Sequence, residues 1–423
     1  MRADGVGRCG GHGADGHGAQ YGAAGAADTV HGATVRRRGT APGWLAVMVH
    51  NRRMQWFRPE LADLPSYVAG KRPRNADSVK LSSNEVPFPP TPAVAAALAA
   101  AVAQGGELNR YPDMSCAQLT AALATYENWD PAGIVVGNGS TALIEKFLQA
   151  VVTPGGDVVS PWRSFEAYPI ATIAAGGRFV GVPLRADGTH DLDAMAAAIT
   201  DNTRAILLCS PNNPTGTTIP HAELASFLAK VPARMPVLLD EAYIHFAPAV
   251  GESQASRAVV QNGKELARQY PNVAVARTFS KAFALAGLRL GYLLTSPALA
   301  EPLRRIATPF GVNRLAQVAG QAALTEADTV LERAAQLAGA RDELAAQLAQ
   351  AGWHTPTSHA NFLWVSAAEL DRHGVSAARF EDACMDAGVL VRVLGEGVRI
   401  SVAEPEGSTR VLAAVRALGE RSS

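Results

Sequence analysis

The feature that most constrains this fold is an alternation, sustained from residue 134 to residue 277, of short β-rich runs with segments of helical spacing. The runs are 134–136, 157–160, 179–182, 205–209, 237–239 and 273–277; the segments between them are 142–152, 168–175, 192–199 and 222–230. Strands that are apolar along their length bury both faces, as βαβ units in a mostly parallel sheet require. The expectation is an α/β fold with its ligand beyond the carboxyl ends of the strands.

Outside this core the chain changes character. Residues 1–53 are rich in glycine, carry the run Arg36, Arg37, Arg38 and have few large apolar side chains, so they read as a tail that cannot bury enough surface to order itself. Met48 and Met54 stand just before the sequence becomes foldable, so a misassigned start is a second reading of that tail. Residues 54–90 read as an extended arm punctuated by prolines and residues 91–305 as the large domain, whose first helices fall at 92–104 and 115–126. The second of these has a cap at Asp113 or Ser115. Residues 306–423 read as a smaller α+β domain, with a long helical stretch at 315–351 and strands at 361–365 and 389–393 around a helix at 377–387.

Charge is balanced at 38 basic against 38 acidic residues, which asks for neither nucleic acid nor a membrane surface, and no apolar stretch is long enough to span a bilayer. Cys9, Cys116, Cys209 and Cys384 lack CxxC spacing, and the histidines form no HxxxH, so no metal site is expected and a reducing cytoplasm fits.

The chemistry lies at the ends of the runs. Residues 278–291 (TFSKAFALAGLRLG) put Lys281 among hydroxyls and small apolar residues, with Arg289 eight positions on. A lysine in such packing has a depressed pKa and can form a Schiff base, while Thr278, Ser280 and Arg289 offer the donors that grip a phosphate. An aldehyde and a phosphate on one ligand suggest pyridoxal phosphate. Residues 136–142 (VGNGSTA) form a glycine-rich turn into a helix, a further anion site, and match neither GxGxxG nor a Walker A pattern. Residues 210–216 (SPNNPTG) offer an asparagine amide after an apolar run and also suit an ordinary turn. Asp240 ends another run, where a pyridinium nitrogen would be its cationic partner, although a helix cap is an equally permitted use.

In this order and within one domain, these residues resemble the fold-type I pyridoxal-phosphate aminotransferases over residues 57–415. The likeness is strongest to histidinol-phosphate aminotransferases and their actinobacterial relatives acting on aromatic amino acids. It is carried by 67–71 (YVAGK), 81–85 (LSSNE), 109–113 (NRYPD) and 162–169 (WRSFEAYP), the last resembling the aromatic branch. The resemblance implies a mostly parallel seven-stranded sheet between helices. It implies that Lys281 bonds to the cofactor aldehyde and then shuttles a proton, and that Asp240 pairs with the pyridine nitrogen. Asn213 and Tyr243 would hold the phenolate oxygen, and Phe165 would stack on the ring. Ser140, Thr141, Ser280 and Arg289 would hold the phosphate; many relatives are acidic at position 141, where this chain has threonine.

On the substrate side the resemblance implies that Arg399 clamps the α-carboxylate, with Asn361 and Tyr67 nearby. Tyr111 would reach a neighbouring subunit's cofactor, making the protein a homodimer with shared sites. The implied reaction is transamination between an aromatic amino acid and 2-oxoglutarate, with histidinol phosphate as the alternative donor. A decarboxylase or synthase on the same fold is a rival, because the fold does not set which Cα bond breaks. A ligand-sensing regulator is another, disfavoured because residues 1–53 contain no helix-turn-helix.

Overall fold

The structure, a computed structural model, describes residues 58–61, 64, 77–103, 108–247, 263–395 and 397–420. The tail expected at 1–53, about half of the arm and Tyr67 lie outside the described residues. From Phe57 onward the chain forms one compact unit.

The β-rich runs become Ile134–Gly137 (β2), Asp157–Trp162 (β3), Arg178–Pro183 (β4), Thr203–Cys209 (β5), Val237–Asp240 (β6) and Val273–Thr278 (β7), after a short strand Val79–Lys80 (β1) in the arm. With Gly291–Leu294 (β8) they form a seven-stranded sheet in the order β2-β8-β7-β6-β5-β3-β4. Pairing is parallel from β4 to β7. At the centre, Ile206, Leu207, Leu208, Val237 and Leu238 are completely buried, with helices covering both faces.

β8 was not foreseen as a strand, and it runs antiparallel to both β2 and β7. The reason is its connection: residues 279–290 return directly from β7 without a crossover helix, and a direct return makes an antiparallel pair. That link carries Lys281 and Arg289 across the carboxyl end of the sheet.

The C-terminal part has a three-stranded antiparallel sheet in which Gly397–Ser401 (β12) lies between Phe362–Val365 (β9) and Arg392–Leu394 (β11). The strand expected at 389–393 divides, because Val389–Leu390 (β10) pairs with β1 while β11 pairs with β12. One run thus serves two sheets, and Leu81 of the arm enters the C-terminal core beside Leu344, Phe380 and Val411. The helix expected at 315–351 breaks into Arg314–Thr325 and Ala327–Gln350. At the break, the Glu326 carboxylate accepts from the Ala93 amide at 3.0 Å, an anion on the first turn of the helix Pro92–Ala103.

The start of the helix Ala117–Glu127 is held by Asp113, whose carboxylate accepts from the Ala117 and Ser115 amides at 2.7 and 2.9 Å. Cys116 takes the cap position itself, with a left-handed backbone.

Candidate active site

A cavity of about 220 Å³ opens at the carboxyl ends of β5, β6 and β7, between the large sheet and the β11–β12 hairpin. One end is built for an anion. Gly139 caps the helix Ser140–Val151 with φ 85°, a conformation that favours glycine, and a Cβ there would meet the Arg289 guanidinium at 2.8 Å. A Cβ on Gly291 would strike the Ser140 amide nitrogen at 2.5 Å, so β8 approaches the helix start as closely as a backbone can. Ser140, Thr141, Ser280 and Arg289 converge there, with Arg289 donating to Ser280 Oγ at 3.3 Å. Helix amides, hydroxyls and a guanidinium together make a phosphate cradle. Thr278 also borders the cavity, but its hydroxyl is engaged locally, accepting from the Ser280 amide at 3.1 Å and donating to Leu290 O at 3.3 Å.

At the floor, Asp240 ends β6 with its carboxylate buried. One oxygen accepts from Tyr168 Oη at 2.9 Å and the other from the Ala242 amide at 3.1 Å. Neither partner is cationic, and burial pushes the carboxyl up to about 6. A protonated ring nitrogen opposite would supply the missing charge. Tyr168, which positions this carboxylate, was read only as part of a motif; no local sequence signal links it to Asp240, 72 residues away. Behind the floor, Arg277 bridges Glu241 at 2.7 Å and Glu127 at 3.0 Å, all three buried. This ties the ends of β6 and β7 together.

Lys281 projects into the cavity between these ends. Its Nζ donates to Ser83 O at 3.1 Å and lies 5.6 Å from the Tyr243 ring centroid. Burial first, then the positive charge of Arg399, lowers this amine to about 7. Tyr243 Oη accepts from Asn84 Nδ2 at 2.9 Å, and burial raises its phenol. Asn84 is a site residue that the candidate set missed, although the stretch 81–85 was among the motifs. It has φ 54°, and its backbone N–H donates to Ser401 Oγ at 2.9 Å.

Phe165 forms a side wall, its ring meeting Tyr168 edge-on at 5.6 Å between centroids. On the opposite side Arg399 is buried, its guanidinium donating to Asn213 Oδ1 at 2.6 Å and to Ser82 O at 2.9 Å. The Ser82 hydroxyl, also buried and lining the cavity, has no hydrogen-bond partner among the described residues. Arg392 lines the cavity as well, and sequence reasoning did not single it out.

Two other candidates sit elsewhere. Asn361 is buried behind the cavity wall, where Nδ2 donates to Asn84 O at 3.2 Å. Tyr111 is 81% exposed and stacks on Phe310 at 4.4 Å. Among the described residues no cluster of histidine, cysteine or acidic side chains could hold a metal ion, and no helix is long and apolar enough to cross a membrane.

The whole arrangement is that of a fold-type I aminotransferase. The sequence profile "Aminotransferase class I and II" matches residues 76–415. Proteins named aromatic amino acid aminotransferase share 43% identity over 88% of this chain and 99% of the protein in Thermobifida fusca, and 45% over 83% and 94% in Streptomyces coelicolor. A histidinol-phosphate aminotransferase from Sinorhizobium meliloti, solved in complex with pyridoxal-5'-phosphate, superposes with a TM-score of 0.76 at 29% identity. It covers 87% of this chain and 99% of its own. This chain belongs to the class I and II aminotransferases, and it is an enzyme of that kind.

Proposed function

We propose that the protein transfers the amino group of an aromatic amino acid to 2-oxoglutarate with bound pyridoxal phosphate, giving the aryl 2-oxo acid and glutamate. The carrying observation is the buried pair at the cavity floor: a lysine brought down to about 7 and, opposite, a carboxylate without a cation among its hydrogen-bond partners. The aromatic choice is supported by the names of the relatives above 40% identity.

The cofactor supplies an electron sink for the bond broken at Cα. The residues of the chain do the rest. Asp240 would keep the ring nitrogen protonated, and the Tyr168 hydroxyl keeps Asp240 in place. Asn213 and Tyr243 would hold the ring oxygen, while Ser140, Thr141, Ser280 and Arg289 would hold the phosphate. Phe165 would cover one face of the ring, and Lys281 would serve as the base that moves a proton at Cα. Arg399 orients the substrate carboxylate, and Ser82 has a hydroxyl available on the same side.

Exposed Leu108, Tyr111, Met114 and Phe310 supply an apolar surface suited to a second copy, so the reading includes a homodimer. It keeps the division near residue 305, a cytoplasmic location in line with the buried free thiols of Cys116, Cys209 and Cys384, and supporting roles for Asn361 and Tyr67 on the substrate side. Histidinol phosphate is the second reading, favoured by one observation: Arg392 sets a second guanidinium beside Arg399 in the cavity. Steady-state assays with 2-oxoglutarate as acceptor separate the two. The proposal expects a higher kcat/KM for phenylalanine than for histidinol phosphate; the reverse order would replace it with the second reading.

Arg399→Ala gives a two-part test. The KM for 2-oxoglutarate should rise by about tenfold to a hundredfold, because a buried charge-assisted contact to the carboxylate is lost. Removing that charge should also let the Lys281 amine recover part of its ordinary basicity. In the wild-type apoenzyme, cofactor uptake should rise as pH increases through about 7, where the free amine appears. In Arg399→Ala the same curve should move to higher pH. An unchanged KM would show that Arg399 does not face the carboxylate, and an unmoved curve that its charge does not reach Lys281.

A further inference from the structure

Transamination through a single cavity sets a conflicting demand: an uncharged ring and the distal carboxylate of 2-oxoglutarate must occupy the same place in turn. A fixed cation there would help the acid and penalise the ring by burying an unpaired charge. Arg392 stands at this place. It lies opposite Arg399 on the neighbouring antiparallel strand, so both side chains leave the same face of the hairpin. Both border the cavity, and the Arg392 side chain is only 10% exposed.

Its guanidinium donates to Glu166 Oε2 at 2.9 Å. Glu166 directly follows Phe165, the ring-wall residue, and caps the short helix Ala167–Ala174 with a carboxylate that makes no side-chain capping bond. The pair therefore joins the Phe165 wall to the C-terminal hairpin across the cavity. Its two ends are unequal: Arg392 is nearly enclosed, whereas the Glu166 side chain is 33% exposed and can turn toward solvent. Glu166 is the partner that an incoming anion can displace.

We infer that Glu166 is a specificity residue: it neutralises Arg392 while an aromatic ring is bound and yields it to the distal carboxylate or phosphate of an acidic substrate. The inference rests on the aromatic reading above. It accounts for a second arginine in the cavity of an enzyme whose amino donor carries no second acid.

Glu166→Gln and Arg392→Gln test it, with the loaded enzyme and three donors: L-phenylalanine, L-glutamate and L-histidinol phosphate. In Glu166→Gln the ratio of kcat/KM for glutamate to that for phenylalanine should rise roughly tenfold, with histidinol phosphate following glutamate; the effect is limited because the carboxylate is partly solvated. In Arg392→Gln the same ratio should fall at least roughly tenfold. Opposite movement in the two variants is the signature, since a pair that merely latches the hairpin to the wall would lower every donor alike in both. Ratios that stay put, or fall together, overturn the inference. If wild-type enzyme does not use phenylalanine at all, it is the aromatic reading that fails, and that result is seen before any variant is compared.

Discussion

Replacing Lys281 with alanine should remove the absorbance of protein-linked cofactor and lower turnover by about 10⁴-fold or more, because one side chain supplies both the covalent tether and the base. The structure gives the reason for so large a loss. The amine is buried, and burial together with Arg399 outweighs the opposing charges of Glu85 and Asp240 and places it at about 7. An ordinary lysine, near 10.5, would hold on the order of one free amine in a thousand at neutral pH. Among the described residues no second lysine borders the cavity to substitute for it. Folding should survive, since the substitution removes a strained charge rather than a packed apolar group. Cofactor held by the phosphate cradle alone, with the spectrum of free aldehyde, is the expected appearance of the variant. Steady-state activity within tenfold of wild type would remove Lys281 from the role assigned to it.

Asp240→Asn has the second largest expected effect. The change keeps the volume and the hydrogen bond from Tyr168, but it leaves no negative charge to hold a proton on the ring nitrogen. A fall in kcat of about 10²–10³ is expected, the scale on which one preorganised electrostatic contact acts. Cofactor affinity should fall less, because the phosphate end is untouched. Tyr168→Phe offers a graded comparison: it frees the carboxylate from one donor without removing its charge, so its loss in kcat should be far smaller. Equal losses in the two variants would mean that placement of the carboxylate, not its charge, is what matters.

Much of this site was legible because its chemistry sits at the ends of apolar runs. Asp240 and the turn that follows Cys209 could be placed from the sequence, since a polar residue closing a buried strand faces the crevice. Lys281 and Arg289 were legible as a pair because they stand eight positions apart in one loop. The strand that fixes that loop, β8, was not, because it is only four residues long and begins at Gly291, the last residue of the motif, with no turn signal to set it apart. Contacts made across the whole fold were invisible for a different reason. Asn84 reaches Tyr243 and Ser401, Tyr168 reaches Asp240, and Glu166 reaches Arg392, at separations of 72 to 317 residues. Nothing local distinguishes such residues from their neighbours. Asn361 shows the converse: the motif around it is informative, yet tertiary packing turns its amide toward the Asn84 carbonyl behind the cavity. Tyr111 depends on what covers it, and its exposure in a single chain is what a role completed by a second subunit would require.

The most direct test of the central claim is the half-reaction. Cofactor-loaded enzyme is mixed with L-phenylalanine alone, without any acceptor, and the cofactor absorbance is followed together with release of carbon dioxide. The account predicts stoichiometric conversion to the amino form of the cofactor, reversed by 2-oxoglutarate, with no carbon dioxide released. Carbon dioxide released without that conversion, or no conversion with phenylalanine where histidinol phosphate converts the enzyme readily, would contradict it.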